Sequence, residues 1–518
     1  MTATPSPLSP AVSSATVDAV LRRSASRFPA RVALTFAERR WTYAELDSAV
    51  DRVATVLTDR GLEPGARVAA YGVNSDAYLI AFLAVCRAGF THVPVNYALT
   101  GGELHYLLTD SEASLVLVDP AQAPTLDAAL EGRPGLPTLA LLPTAGGSAD
   151  GTILGYALMK TPCRPVESPA SGDGLAQLLY TSGTTSRPKG AMMTHSGLVH
   201  EYVSCILSLD LAADDEPLVA MPLYHSAAMH VFALPYLSLG ATVHLMMAPD
   251  IPEILRRVEV DRIGSLFLAP TVWVPLASHP DLGDRDLSSL RKAQYGASIM
   301  PVTVLHRLRE RYPELGFYNC FGQSEIGPLA SVLRPEEHDA RPASAGRPVF
   351  FVEARVVDDT GAEVADGERG EVVYRSPQLC TGYWNKPEAT VEAFRDGWFH
   401  SGDLVVRDPE GFIEVVDRIK DVINTGGVLV ASREVEDAVY RDDRVAEVAV
   451  IGTPDEKWIE AVTAVVVLRH GAEASATEII EGTRAHLAPF KVPKRVVFVD
   501  ELPRNQSGKL LKRELRQR

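Results

Sequence analysis

Residues 180–190 read YTSGTTSRPKG. Small hydroxyl side chains and a glycine leave backbone N–H groups bare, and a lysine closes the run with a fixed positive charge. That combination suits a loop that holds phosphate. It is not the Walker order, because Lys189 precedes Gly190 instead of following a glycine. The strand-like LAQLLY run at 175–180 leads into it, so Thr181, Ser182, Gly183, Thr184, Thr185 and Lys189 are candidate phosphate contacts. In isolation a Gly/Thr turn ending in a surface lysine explains the run equally well.

Three further stretches bear on the same chemistry. NCFGQSEIGP at 319–328 sets an aromatic, Phe321, beside Gly322 and Gln323, then Ser324 and Glu325. An aromatic face can stack a base. A hydroxyl beside a carboxylate can hold a phosphate and a hard cation such as Mg²⁺. In HSGDLVVRDPEGFIEVVDRIKD, 400–421, Asp403 follows Gly402, and a carboxylate there can accept ribose hydroxyls. The commoner fate of each stretch is a polar turn, and of Arg418 a surface ion pair worth little. LPRNQSGKLLKRELR, 502–516, carries Lys509 after Ser-Gly. Such lysines are usually solvated, but one on a small domain can reach a distant site and neutralise developing phosphate charge.

Alternating elements must position these groups. VALTF (32–36), RVAAYG (67–72), THVPVN (91–96) and SLVLVD (114–119) read as strands, with helices at 42–61 and 77–89 between them. This predicts an α/β fold with largely parallel sheet. Residues 121–172 are rich in Ala, Pro, Gly and Thr and read as a surface excursion. From Arg341 the texture turns to antiparallel or barrel-like β. After DRIKDVINTGG, 417–427, a further α/β block of about 100 residues is long enough for its own domain. The expected layout is a loose tail at 1–15, a large domain at 16–418, a hinge at 419–420 and a small mobile domain at 421–518.

Composition narrows the classes. The 518 residues exceed one core. A formal charge of -16 disfavours nonspecific binding to nucleic acid or an anionic membrane. Five scattered cysteines, with no C-x-x-C pair, make neither a disulfide framework nor a zinc site. No signal-peptide pattern and no run of 18 apolar residues is present, so a cytoplasmic location is expected.

Read in order, TSGTTSRPKG, MPLYHSAAMH (221–230), FGQSE, SGDL, DRIKD and NQSGK resemble the motifs of the adenylate-forming superfamily, from about Trp41 to the end. That superfamily holds acyl-CoA synthetases, luciferases and nonribosomal peptide adenylation domains. The resemblance implies activation of a carboxylic acid by ATP as an acyl-adenylate, then transfer to a thiol after the small domain rotates. It implies that Thr181–Thr185 and Lys189 hold the triphosphate and that Phe321 stacks adenine. Ser324 meets the α-phosphate, Thr184 and Glu325 serve Mg²⁺, and Asp403 and Arg418 bind ribose. Lys420 is the hinge, Lys509 the adenylating lysine, and His225 a gate between acyl pocket and CoA tunnel. Gly296, Ala297, Gly322, Gln323, Gly426 and Gly427 join the cofactor-binding set, and Tyr224, Met229, Phe232, Ser298 and Gly327 the acyl pocket.

THVPVNYALTGGELHYLL resembles the acyl-CoA synthetase branch, where amino-acid adenylation domains carry Pro-Leu-Asp, and the chain ends soon after Lys509 with no Ser-Lys-Leu signal. The cofactors implied are ATP, Mg²⁺ and CoA. No Arg or Lys stands among the pocket positions, so a dicarboxylic acid is disfavoured and a medium-chain, aromatic or polycyclic monocarboxylic acid fits. Partners are that acid or its adenylate, ATP, AMP and CoA, with homodimer formation left open. Two positions depart from the pattern: Ser186 replaces a glycine of the phosphate loop, and Val428-Leu429 replaces a polar pair after Gly426-Gly427. These keep a second function in view, a specialist converting a preformed adenylate, made by a separate enzyme, to the thioester. A carrier-loading adenylation domain and a binding protein without turnover are further alternatives.

Overall fold

The computed structural model describes the chain except residues 1–14, 132–134, 162, 182–186, 299, 427, 456, 505–509 and 517–518. It divides into two compact units. The larger runs to Pro342 and adds Pro348–Glu353 and Arg375–Gly397. The smaller comprises Ala343–Arg347, Ala354–Tyr374 and Trp398 to the end.

Two α/β sheets build the larger unit. In one, the strands lie in the order Arg347–Pro348, Leu329–Leu333, Gly316–Gly322, Lys292–Gly296, Ser265–Leu268, Pro217–Val219, Val243–Leu245, Val32–Phe36, Arg39–Thr42. Leu329–Leu333 pairs antiparallel with Gly316–Gly322 and Val32–Phe36 with Arg39–Thr42, and the pairs from Gly316–Gly322 through Val32–Phe36 are parallel. In the other, the order is Thr138–Ala140, Leu115–Val118, Arg67–Tyr71, Thr91–Val95, Leu175–Thr181, Lys189–Thr194, with only the last pair antiparallel. Strands such as Leu115–Val118 are buried along their whole length, as parallel strands covered on both faces must be.

Local sequence sets the helix starts. Thr42 Oγ1 accepts from Glu45 N at 3.2 Å, and the Glu45 carboxylate accepts from Thr42 N at 2.8 Å. This capping box starts helix Tyr43–Thr58, whose stripe of Leu46, Val50, Val53 and Leu57 is fully buried. The stretch read as a surface excursion, 121–172, contains helices Ala123–Ala129 and Ile153–Leu158 and the edge strand Thr138–Ala140. Leu126, Leu139, Ile153 and Leu154 are buried there. A few well-placed apolar residues thus outweigh the Pro/Gly-rich composition.

The parallel strands Leu175–Thr181, Lys292–Gly296 and Gly316–Gly322 bring Thr181, Gly296 and Gly322 to their carboxyl ends. Ligands of doubly wound sheets bind outside that edge. An apolar cavity of about 390 Å³, lined by Leu266, Trp273, Leu290, Leu308 and Leu315, includes the residues that lead into two of these strands at the other end.

The smaller unit opens with the antiparallel strands Arg369–Arg375, Trp398–Arg407 and Ile413–Arg418. A second sheet follows, made of Ile423–Thr425, Val428–Val430, Val445–Asp455, Ile459–Leu468 and Arg495–Phe498. Helices Ser432–Val439 and Ala476–Arg484 cover it over a core of Val430, Val435, Val450, Val462, Val466 and Ile479. Among the described residues no helix is long and apolar enough to cross a membrane.

Candidate active site

Strands Leu175–Thr181 and Lys189–Thr194 pair antiparallel, with Thr181 opposite Lys189. Ser182, Gly183, Thr184, Thr185 and the divergent Ser186 lie outside the described residues. The ends of both strands are fixed. Tyr180 OH donates to Asp110 Oδ2 at 2.9 Å, Tyr106 OH donates to the Pro188 carbonyl at 3.0 Å, and Lys386 Nζ donates to Asp110 Oδ1 at 2.6 Å.

Glu325 sits at the centre of the described cluster. It is buried, and its Oε1 accepts from Thr181 Oγ1 at 3.1 Å and from Tyr383 OH at 3.1 Å. Lys189 Nζ stands 5.0 Å from the centre of the Tyr383 ring. Ser324 Oγ lies 3.2 Å from Ser226 Oγ. The structure therefore brings Thr181, Lys189, Ser324 and Glu325 together and adds Tyr383 and Ser226, which sequence reasoning missed. Tyr383 sits in the Gly-Tyr-Trp run 382–384, beside strand Lys189–Thr194: Met192 N donates to Gly382 O at 2.9 Å and Trp384 N to Gly190 O at 2.8 Å. A Gly-Tyr-Trp run is an audible signal, but nothing in its composition ties it to a carboxylate 58 residues away.

Phe321 and Gln323 are half-buried and Gly322 exposed on the same strand end. Two glycines are demanded by close backbone approach. A Cβ on Gly296 would meet Cys320 O at 2.2 Å, and one on Gly322 would meet Pro328 O at 2.0 Å. Ala297 follows with φ +65° and is exposed, as is Ser298.

On the expected acyl side, Tyr224 and His225 are half-buried neighbours, and the Tyr224 ring meets Tyr97 edge-on at 5.5 Å. Burial pushes the Tyr224 phenol upward. A π-helical turn follows over Ala227–Ala233; such turns gather at functional sites. Within it Met229 is 0% and Phe232 3% exposed, and Phe232 stacks on Phe267 at 4.4 Å. His230 is anchored on both ring nitrogens, Nδ1 to Tyr202 OH at 3.0 Å and Nε2 to Gln177 Oε1 at 2.8 Å. Burial lowers its pKa to about 3, so it stays neutral. Gly327 has φ +110°.

In the smaller unit, Asp403 and Arg418 face each other across paired strands. Arg418 Nη1 donates to Asp403 Oδ1 at 2.5 Å and to Ser401 O at 3.3 Å, and Asp403 is 4% exposed. Lys420 follows in an exposed single turn, Ile419–Asp421. Asp417 Oδ2 accepts from Ser432 N at 2.6 Å and Ser432 Oγ at 2.7 Å, which ties the strand to helix Ser432–Val439. Gly426, φ +65°, turns the hairpin whose second strand exposes Val428 and Leu429 by 44% and 61%. Gly427 and Lys509 lie outside the described residues.

Residues 21–384 match the family model of the AMP-binding enzyme, and residues 434–509 match that of the AMP-binding enzyme C-terminal domain. The chain belongs to the AMP-binding enzyme family. It is 40% identical over 477 residues to a feruloyl-CoA synthase of Amycolatopsis sp, covering 92% of this chain and 94% of that protein. It is 33% identical to an indoleacetate–CoA ligase of Aromatoleum aromaticum, covering 96% of each. The crystal structure of ATP-bound MatB from Rhodopseudomonas palustris superposes with a TM-score of 0.88 at 32% identity, covering 97% of this chain and 98% of that one. This AMP-binding enzyme is thus an AMP-forming acid–thiol ligase of the acyl-CoA synthetase branch, using ATP and CoA.

The site's donor set suits a phosphate-bound Mg²⁺. Among the described residues no group of three or more His, Cys, Asp or Glu side chains forms a metal cage. Glu325 offers a carboxylate, and its Oε1 accepts from two neutral hydroxyls, Thr181 Oγ1 and Tyr383 OH. Mg²⁺ is characteristically held by one or two carboxylates together with substrate phosphates.

Proposed function

We propose that this AMP-binding enzyme activates an aryl monocarboxylic acid as its acyl-adenylate and passes the acyl group to CoA. The observation that carries the substrate class is the uncharged character of the expected acyl wall: Tyr224 against Tyr97, then Met229 and Phe232, with no side chain at Gly327. A second carboxylate would be buried there without a partner. The likeness to a feruloyl-CoA synthase and an indoleacetate–CoA ligase supports an aromatic body.

In the reaction, Lys189 and residues 181–185 hold the phosphates, and Phe321 offers its face to adenine. Arg418 orients the Asp403 carboxylate toward the ribose hydroxyls. The substrate carboxylate oxygen attacks the α-phosphorus, the bond to the β-phosphate oxygen breaks, and pyrophosphate leaves. Ser324 donates to the α-phosphate, and Lys509 neutralises charge growing between carboxylate and phosphorus. A Mg²⁺ on Glu325 supplies Lewis-acid charge to the phosphates when bound. Movement at the hinge, Lys420, between 16–418 and 421–518, then admits CoA past His225. The CoA sulfur attacks the acyl carbonyl, its proton is lost, and AMP departs with the C–O electron pair.

A specialist for the second half-reaction is the other function with a specific observation behind it, the exposed apolar pair Val428-Leu429 where the family carries polar residues. One experiment separates the two. A panel of aryl, medium-chain and dicarboxylic acids is supplied with ATP, Mg²⁺ and CoA, and in parallel the matching acyl-adenylates with CoA alone. Thioester is read by mass spectrometry. Thioester from free aryl acids is the expected result; thioester from adenylates only would establish the specialist.

A further inference from the structure

Beneath the loop that carries Ser324 and Glu325 lies a carboxyl group with no ionic partner among the described residues. Glu201, on helix His195–Ser208, is 0% exposed. Its Oε1 accepts from Leu329 N at 2.8 Å, and its Oε2 accepts from Gln378 Nε2 at 2.5 Å. The same Gln378 amide donates to the Ile326 carbonyl at 2.9 Å and the Leu329 carbonyl at 2.8 Å, and Ser204 Oγ donates to Gln378 Oε1 at 3.0 Å. A Cβ on Gly327 would stand 2.8 Å from Glu201 Oε2. One carboxyl and one amide therefore grip the backbone from 326 to 329 at three points. That backbone is continuous with Glu325 on one side and forms the expected acyl wall on the other.

We infer that Glu201 and Gln378 are positioning residues, a buried clamp that fixes the distance between the Ser324–Glu325 turn and the acyl-facing backbone at Gly327–Leu329. The surroundings favour the neutral carboxyl: Glu201 is fully buried, and its oxygens accept from the neutral donors Leu329 N at 2.8 Å, Gln378 Nε2 at 2.5 Å and Cys205 Sγ at 3.4 Å. Burial pushes the Glu201 pKa up to about 8, against the hydrogen bonds that pull it down.

The groups facing it do not titrate first. Burial raises the Tyr202 phenol and the Cys205 thiol on its own helix, and the Cys320 thiol on strand Gly316–Gly322. Burial likewise holds Cys380 up beside Gln378, and His230 is already neutral. As pH rises, Glu201 is the first of this set to gain a charge. Among the described residues the ionised form has no cation beside it, and it pushes against the carbonyls that Gln378 holds, so the clamp loosens. The sign for stability is fixed. The native carboxyl keeps a proton that the unfolded chain releases near pH 4.5, so stability falls as pH rises from about 4.5 to about 8, then levels.

The activity readout rests on the proposed ligase reaction; the thermal readout does not. Wild type, Glu201→Gln and Glu201→Leu are compared from pH 6.5 to 9.5 by thermal midpoint and by kcat and KM for pyrophosphate release with an aryl acid. In wild type the protonated fraction, and with it kcat, falls about five-fold between pH 8 and 9, and the midpoint drops through the approach to pH 8. Glu201→Gln removes both dependences while keeping kcat at pH 7 well above that of Glu201→Leu, whose KM for ATP stays within about two-fold of wild type while its kcat falls. The inference is overturned if Glu201→Gln keeps the wild-type pH dependence of the midpoint, or if it loses as much kcat at pH 7 as Glu201→Leu. If no acid turns over in any variant, the ligase reaction fails, and the midpoints still decide the clamp.

Discussion

The loop 323–329 of the larger unit and the hairpin 423–430 of the smaller one are built on opposite plans. Around the first, Glu325, Leu329 and Ile326 are each held by partners on other elements: Thr181, Tyr383, Gln378 and Glu201. Around the second, Val428, Leu429 and the neighbouring Ile459 expose 44%, 61% and 59% of their surface. Fixed dipoles and charges act on a transition state only if they are held before the reaction starts. An exposed apolar tip contributes only when something covers it. Under the proposed reaction, adenylation belongs to the rigid loop and a later, docking-dependent step to the hairpin.

The largest test of that division is Lys509→Ala. Pyrophosphate release from ATP and free acid should fall on the order of 10³-fold, while thioester formation from a supplied adenylate stays within about two-fold. Equal loss of both would remove the separation of roles. Next is Glu325→Gln, which keeps the acceptor for Thr181 and Tyr383 but removes the charge. Adenylation should fall about 10²-fold and be partly restored by raised Mg²⁺, measured as pyrophosphate release. Loss without any Mg²⁺ dependence would make Glu325 a structural acceptor.

Regular elements were readable because local rules decide them. VALTF, RVAAYG and THVPVN became strands at almost the expected residues, since buried parallel strands are short continuous apolar runs. Helix 42–61 was readable from its period and closes near Thr58. The motif order disclosed the family. The cross-chain pairings were not readable. Glu325 meets Tyr383 across 58 residues, Glu201 meets Gln378 across 177, and Ser226 meets Ser324 across 98. Each pair joins residues whose own neighbourhoods look ordinary, Glu201 being a polar residue midway along an apolar helix. Only the sheet order brings them together, and sheet order is a property of the whole chain. The excursion 121–172 hid its strand because three residues, Thr138–Ala140, are too few to show a period.

A smaller test sharpens the rigid side. Tyr383→Phe removes one donor from Glu325 Oε1 and leaves the ring beneath Lys189. One neutral hydrogen bond is worth about 1 kcal/mol, so adenylation should slow roughly five-fold with little change in thermal midpoint. A drop like that of Glu325→Gln would mean that Tyr383 contacts substrate directly.

The smallest expected effect bears on the exposed side. Val428→Glu with Leu429→Asn restores a polar pair at a position where both side chains already face solvent. Surface changes of this kind shift stability by only about 0.5 kcal/mol, so a kinetic response cannot be laid to unfolding. Thioester formation and pyrophosphate release are measured separately. A change of about two-fold or more in the thioester step alone, with adenylation constant, places the hairpin in the second half-reaction, because a polar tip docks differently from an apolar one. A matched change in both steps would tie the hairpin to the adenylating arrangement as well, and the division between rigid loop and docking tip would have to be redrawn. No change in either would leave Val428 and Leu429 as solvent-facing residues without a part in the cycle. The rigid loop would then account for the chemistry alone.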